Sequence, residues 1–230
     1  MTRQPTFPGL CLAAEALAGA EWLARVEAAL EATGAATLML DGPDGAAVDP
    51  AAARALVQMA QRKSVATLIV DDWRTARAIG ADGVHLTPRA DIDDAYRAAR
   101  AGLAEGSIVG ADGGVSRHDA MMLGEAGADY VAFGPAGAAE NGDSDDDSDS
   151  DSEESQVSLV GWWSDVFVVP VVAVGIETAE DAARIAAANP DFISVRLPRA
   201  DADARPVAEW AAAILDAIGA PVATPAGARS

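Results

Sequence analysis

The sequence predicts a (β/α)8 barrel, in which eight parallel strands close into a cylinder and a helix follows each strand. Three observations carry this. Short apolar runs alternate with helix-patterned stretches along the whole chain, and eight such pairs fit into 230 residues. That length suits one large α/β domain rather than two small ones. The apolar run Ala66–Val70 also ends in two carboxylates, Asp71 and Asp72, and a second run, Gly83–Leu86, ends beside a polar loop. A parallel barrel gathers such strand ends around one shared mouth, where its chemistry sits. An open, doubly wound sheet alternates in the same way and is the competing architecture.

Each element follows from local pattern. Residues 9–13 form a short apolar run, the first strand. Residues 20–32 place Leu23, Val26 and Leu30 at helical spacing and stop before Gly34, a suitable C-cap. Residues 36–40 read as the second strand, followed by a loop over 41–45. Asp49 can N-cap a helix with Pro50 at its first position, running to about Arg62. Strands at 66–70 and 83–86 flank the third helix, and residues 91–103 form the fourth. Strand five spans 107–111. Ser116 caps a helix that stops at Gly127, and strand six is Tyr130–Phe133. Residues 157–169, with Trp162, Trp163 and Phe167, supply the sixth helix, and 168–174 the seventh strand. Thr178 caps a helix reaching about Asn189, Phe192–Val195 is strand eight, and residues 203–218 close the fold. One domain over residues 1–219 is expected, with a flexible tail from Ala220.

One segment breaks the alternation. Residues 140–156 are almost entirely Asp, Ser and Glu. Such a tract repels itself and has no apolar surface to bury, so a disordered insertion is expected after strand six, over the mouth. It can be a solubilising insertion, a phosphorylated segment or a lure for a basic partner.

Composition narrows the function. The formal net charge of −20 opposes binding to a nucleic-acid backbone. The single Cys11 excludes an internal disulfide framework. No apolar run approaches the roughly 20 residues of a membrane span, and residues 1–8 carry no apolar leader, so a soluble cytoplasmic protein is expected. Homo-oligomerisation is left open. Lysine occurs once, at Lys63.

Asp71-Asp72 with residues 81–86 (Ala-Asp-Gly-Val-His-Leu), residues 127–135 ending in Gly134-Pro135, and residues 170–176 containing Gly175 together resemble thiamine phosphate synthase and its TenI-type relatives, which are TIM barrels. The resemblance spans roughly residues 20–218. It implies joining of a hydroxymethylpyrimidine diphosphate to a thiazole phosphate, with pyrophosphate leaving. That chemistry requires magnesium held by carboxylates, together with Arg and Lys, on the departing diphosphate, and backbone amides on the second phosphate. By this resemblance Asp72 is a magnesium ligand beside Asp71, and Asp91 lies close to the second magnesium aspartate. Gly134 and Pro135 form the strand-six turn, and Gly175 receives the thiazole phosphate.

The chain departs from the family pattern where positive charge is required. Residues 37–41 (Thr-Leu-Met-Leu-Asp) replace a Gln-x-Arg-x-Lys strand, and Thr87-Pro88-Arg89-Ala90 replaces Gly-Gln-x-Asp. Asp112-Gly113-Gly114 stands where the family has Ser-Thr-His, and the Thr-x-Thr-Lys loop after Pro135 is gone. Activity of the family type is therefore expected to be weak or absent. The alternatives are a phosphate-ligand-binding relative and a non-catalytic barrel whose acidic loop recruits a partner. Individual residues also have plainer readings: Asp72 as an N-cap, His85 as a packed, hydrogen-bonded histidine rather than a base, Gly175 as a tight turn, and Arg196 as an exposed arginine rather than a phosphate cation.

Overall fold

The computed structural model describes residues 7–135, 155–200 and 205–220. Its eight strands pair in sequence order into a closed parallel barrel, with β8 returning to β1. The strands are β1 (Gly9–Glu15), β2 (Thr37–Asp41), β3 (Ala66–Val70), β4 (Gly83–Leu86), β5 (Ile108–Asp112), β6 (Tyr130–Phe133), β7 (Val171–Ile176) and β8 (Phe192–Arg196). The helices are α1 (Ala20–Thr33), α2 (Pro50–Arg62), α3 (Trp73–Ile79), α4 (Ile92–Gly102), α5 (Arg117–Glu125), α6 (Gln156–Val166), α7 (Ala179–Ala186) and α8 (Val207–Ala217). Closure removes the open-sheet alternative.

Alternation along each strand divides the core in two. Leu38 and Leu40 face outward into a layer shared with helix residues such as Val26, Leu56 and Trp163. Met39, between them, points into the bore with Cys11, Leu68, Tyr130, Ala132 and Val172. Both faces of these strands are buried, which is why they read as continuous apolar runs rather than alternating ones. The expected caps form: Asp49 accepts from the Ala51 N–H at 2.9 Å, Ser116 from Asp119 at 3.1 Å and Thr178 from Asp181 at 3.1 Å.

At the N-terminal end of the barrel one device repeats. Asp82, Asp129 and Asp191 immediately precede β4, β6 and β8. Their carboxylates accept the N–H groups of Thr67 (2.8 Å), Val109 (2.7 Å) and Val171 (2.9 Å) on the preceding strands. Each clamp fixes the entry of one strand against the next. Conserving such contacts serves stability, because this is the end away from the mouth.

Several boundaries move. Strand seven begins at Val171, not Val168: Val168 is 99% exposed in the loop, and Pro170 has no N–H for the ladder. Helix α6 starts one residue earlier than expected and stops at Val166, with Phe167 turning away and stacking on Trp163. Helix α7 ends at Ala186, and Asn189 takes a left-handed φ of 57°. Helix α8 starts at Val207, after Pro206. The expected acidic insertion lies outside the described residues up to residue 154. Its last two positions belong to the helix instead: the Ser155 hydroxyl caps α6, and the Gln156 Nε2 donates to the carbonyls of Phe133 (2.7 Å) and Val174 (2.8 Å), joining β6 to β7. The expected tail lies outside the described residues from 221 onward.

Candidate functional site

The C-terminal strand ends surround a cavity of ≈ 290 Å³. It brings together His85, Gly134, Pro135, Gly175 and Arg196, all expected at the site, with Asp41, Thr87, Asp112 and Glu177. A second cavity, of ≈ 210 Å³, occupies the opposite end of the bore, and Met39 lines both. Its lining is mostly apolar, and burial pushes the Cys11 thiol there up to about 12, so the thiol stays protonated and inert.

His85 points inward from β4 and is 4% exposed. Its Nδ1 lies 2.9 Å from the Tyr130 hydroxyl, and the two rings are stacked. Burial holds its pKa down to about 4, with only the Asp71 charge opposing. The imidazole is therefore neutral near pH 7. This geometry matches the packed, hydrogen-bonded reading of His85.

Arg196, at the end of β8, is bound by both Asp41 oxygens, at 2.6 and 3.3 Å. Burial opposes its charge, but Asp41, Glu15 and Glu177 outweigh that and hold its pKa above the ordinary value. Arg196 is thus neither the loose loop arginine nor a free phosphate cation; it is one half of a bidentate pair.

Asp112 ends β5 and is 2% exposed. It accepts the Gly114 N–H at 2.8 Å and the Gly134 N–H. Burial pushes its carboxyl up to about 7, against the pull of those two amides. A Cβ at Gly134 would lie 3.1 Å from the Asp112 Oδ2, a tight contact that Asp112 would have to yield to by a few tenths of an ångström. Gly175 has φ +74°, and a Cβ on it would fall 2.6 Å from Pro135 Cδ. It sits where the β7–β8 register shifts, so tight backbone geometry by itself accounts for the glycine.

The three expected magnesium ligands do not line the cavity. The Asp71 carboxylate accepts the Thr87 N–H (2.9 Å), the Thr87 hydroxyl (2.5 Å) and an Arg89 Nη2. Asp72 takes its plainer role and caps α3, accepting the Thr75 N–H at 2.9 Å. Burial opposes its charge, but the groups of Thr75 and Arg74 hold its pKa below the ordinary value. Asp91 is exposed at the start of α4 and makes no capping bond. Neighbouring carboxylates are thus turned toward different partners, one of them a guanidinium, and no group of three acidic, His or Cys side chains converges among the described residues. These residues form no preassembled magnesium site: Asp72 caps α3, Asp71 is held by Thr87 and Arg89, and Asp91 stands apart.

Asp41, Asp112 and Glu177 were not expected at the mouth. Asp41 and Asp112 repeat the sign that marked Asp71, an apolar run closed by an aspartate and then glycine or a turn; the signal was present at three strands and used at one. Glu177 follows the bulge in β7 and carries no such mark. Among the lining residues, three carboxylates face one guanidinium, already committed to Asp41. The mouth offers hydrogen-bond acceptors and stabilises positive charge better than it grips a polyanion.

Residues 10–197 match the family model described as thiamine monophosphate synthase. A thiamine-phosphate synthase from Hyphomonas neptunium is 37% identical over 163 residues, covering 69% of this chain and 68% of the relative. One from Rhodospirillum centenum is 36% identical over 174 residues, covering 73% and 77%. The solved thiamine phosphate pyrophosphorylase of Pyrococcus furiosus superposes with a TM-score of 0.66 at 20% identity, over 94% of this chain and 97% of that one, and supports the fold alone. A match across most of the barrel, from β1 past the end of β8, places the chain in the thiamine monophosphate synthase family.

Proposed function

We propose that the protein is a transferase of the thiamine phosphate synthase type, joining a hydroxymethylpyrimidine diphosphate to a thiazole phosphate in the C-terminal mouth with slow turnover. The carrying observation is that His85, Gly134, Pro135 and Gly175, which carry the family resemblance, line one cavity with the Arg196–Asp41 pair. In the reaction the bond between the pyrimidine-methyl carbon and the diphosphate oxygen breaks, its electron pair leaving with pyrophosphate. The thiazole nitrogen then supplies the pair for the new C–N bond and becomes cationic. Glu177, the ionised fraction of Asp112 and the Arg196-paired Asp41 line the cavity in which positive charge develops, and the first two favour carbon–oxygen cleavage. The departing diphosphate is less well served, because Arg196 is held by Asp41; this is the source of the slow turnover. Substrates that are small soluble phosphate esters fit a cytoplasmic location.

The test is product formation from the two phosphorylated substrates at high enzyme concentration. Turnover that falls further in Asp112→Ala supports the proposal. No product, with saturable binding of the thiazole phosphate retained, refutes it and favours the second reading, a binding protein of the same family. The commitment of Arg196 is the observation that favours that alternative.

A further inference from the structure

We infer that Arg89, held in place by Asp71 and Thr87, supplies the positive charge that magnesium supplies in this family, so that this chain receives the diphosphate end of its ligand without a metal ion. The inference rests on the transferase reading for the ligand's class. Its grounds are the geometry at the ends of β3 and β4. Family members depend on magnesium in general, yet here the expected ligand Asp72 caps α3, and its neighbour Asp71 is filled. Of the about four acceptor positions of a carboxylate, Asp71 uses three, two on Thr87 and one on Arg89. A divalent ion would have to displace these bonds against the repulsion of a guanidinium already in place.

The backbone is committed to this arrangement. Asp71 has a left-handed φ of 59°, and its N–H donates to the His85 carbonyl at 2.8 Å. Aspartate is among the few non-glycine residues that take this conformation readily. The turn points the Asp71 carboxylate across to Thr87, which lines the mouth. Arg89 is anchored through Nε on the Thr87 carbonyl and Nη2 on Asp71, while the two Nη1 donors make no bond among the described residues. Its side chain is 33% exposed, beside Thr87 and Pro88 of the mouth though outside the cavity lining itself. Arg196 differs in having both terminal nitrogens on Asp41. A guanidinium fixed at one end and open at the other suits bidentate recognition of phosphate oxygens.

The experiment is calorimetric titration of inorganic pyrophosphate into the full chain, in excess chelator and in excess magnesium, for the wild type, Arg89→Met and Asp71→Asn. The expected result is wild-type binding in chelator within about threefold of that in magnesium, and a loss of about tenfold or more in Arg89→Met. Asp71→Asn, which tolerates the left-handed backbone, should bind about threefold more weakly than the wild type, because the guanidinium loses its anchor, and should still bind without magnesium. Binding that requires magnesium and disappears in Asp71→Asn overturns the inference, as does an absence of pyrophosphate binding under both conditions. Turnover that depends on magnesium would leave the transferase reading standing and this inference refuted. Metal-free binding through Arg89 with no product would do the reverse.

Discussion

Asp112 gives the sharpest quantitative expectation. Its carboxyl is buried at the floor of the mouth and pushed up to about 7 from an ordinary 3.8, with desolvation as the main cause. A carboxyl whose folded pKa is raised holds a proton in the folded state that the unfolded chain has released. Stability is therefore unpenalised below the unfolded value, falls as pH rises through the interval, and levels off above the folded value. At about 1.4 kcal/mol per pH unit, the full interval is on the order of 4 kcal/mol. Between roughly pH 5 and pH 8 the wild type should lose about 2–3 kcal/mol that Asp112→Asn does not lose. The variant offers one acceptor oxygen to the Gly114 and Gly134 amides, which lowers its stability at every pH by about 1 kcal/mol without changing the slope. Urea unfolding followed by tryptophan fluorescence, with circular dichroism as a check on two-state behaviour, measures the difference at each pH. Wild-type and variant curves that run parallel to within about 0.5 kcal/mol over this range would refute the assignment of a proton to buried Asp112.

Three further outcomes follow from the same geometry. Asp41→Asn frees Arg196 from its bidentate partner and should tighten thiazole phosphate binding by about tenfold, or ~1.4 kcal/mol, in calorimetry; unchanged or weaker binding would show that Arg196 does not face the ligand. Gly175→Ala forces a side chain onto a φ of +74° and into Pro135, so the unfolding midpoint should drop by the equivalent of about 2 kcal/mol or more; a variant as stable as wild type would rule out this fit. Asp82→Ala unpairs the Thr67 N–H and hydroxyl at the far end of the barrel, and should cost about 1–3 kcal/mol in urea unfolding while leaving ligand affinity at the mouth unchanged; a parallel loss of affinity would contradict the separation of the two ends.

The barrel was legible because its requirements are local. Eight apolar runs, the capping side chains of Asp49, Ser116 and Thr178, and the left-handed glycines 34 and 80 that end α1 and α3 each announce an element within a few residues. The boundary errors occurred where tertiary structure overrides pattern. Val168 and Val169 are as β-prone as the strand that follows, and only the closing of β7 against β6 and β8 decides which valines pair. The mouth was half legible. Strand-end position for His85 and Arg196, and the family resemblance for Gly134, Pro135 and Gly175, pointed to residues that line one cavity. What a side chain does there depends on partners far away in sequence: Asp41 and Arg196 are 155 residues apart, and Asp71 turns to Thr87 and Arg89 through a backbone angle that no local pattern announces.

The residues that make the family visible are largely those that close the barrel. Asp82 and Asp129, central to two of the stretches carrying the resemblance, clamp strand entries at the end away from the ligand. Gly134 makes room for Asp112, and Gly175 makes room for Pro135. Substituting Asp82, Asp129 or Gly175 disturbs packing between neighbouring strands, so these residues constrain the frame whatever the mouth does. The mouth is under a separate physical constraint, the sign of its charge. In a recess of low dielectric, Glu177 and the ionised fraction of Asp112, beside an Arg196–Asp41 pair whose charges cancel, favour a forming cation over an arriving polyanion. The two demands of the family reaction, stabilising the carbon as it becomes positive and holding the diphosphate as it departs, therefore fall to different groups in this chain. On the transferase reading proposed above, the first falls to Glu177 and Asp112 in the cavity and the second to Arg89 beside Thr87, so a substitution at Arg89 should weaken pyrophosphate binding without touching the cavity lining.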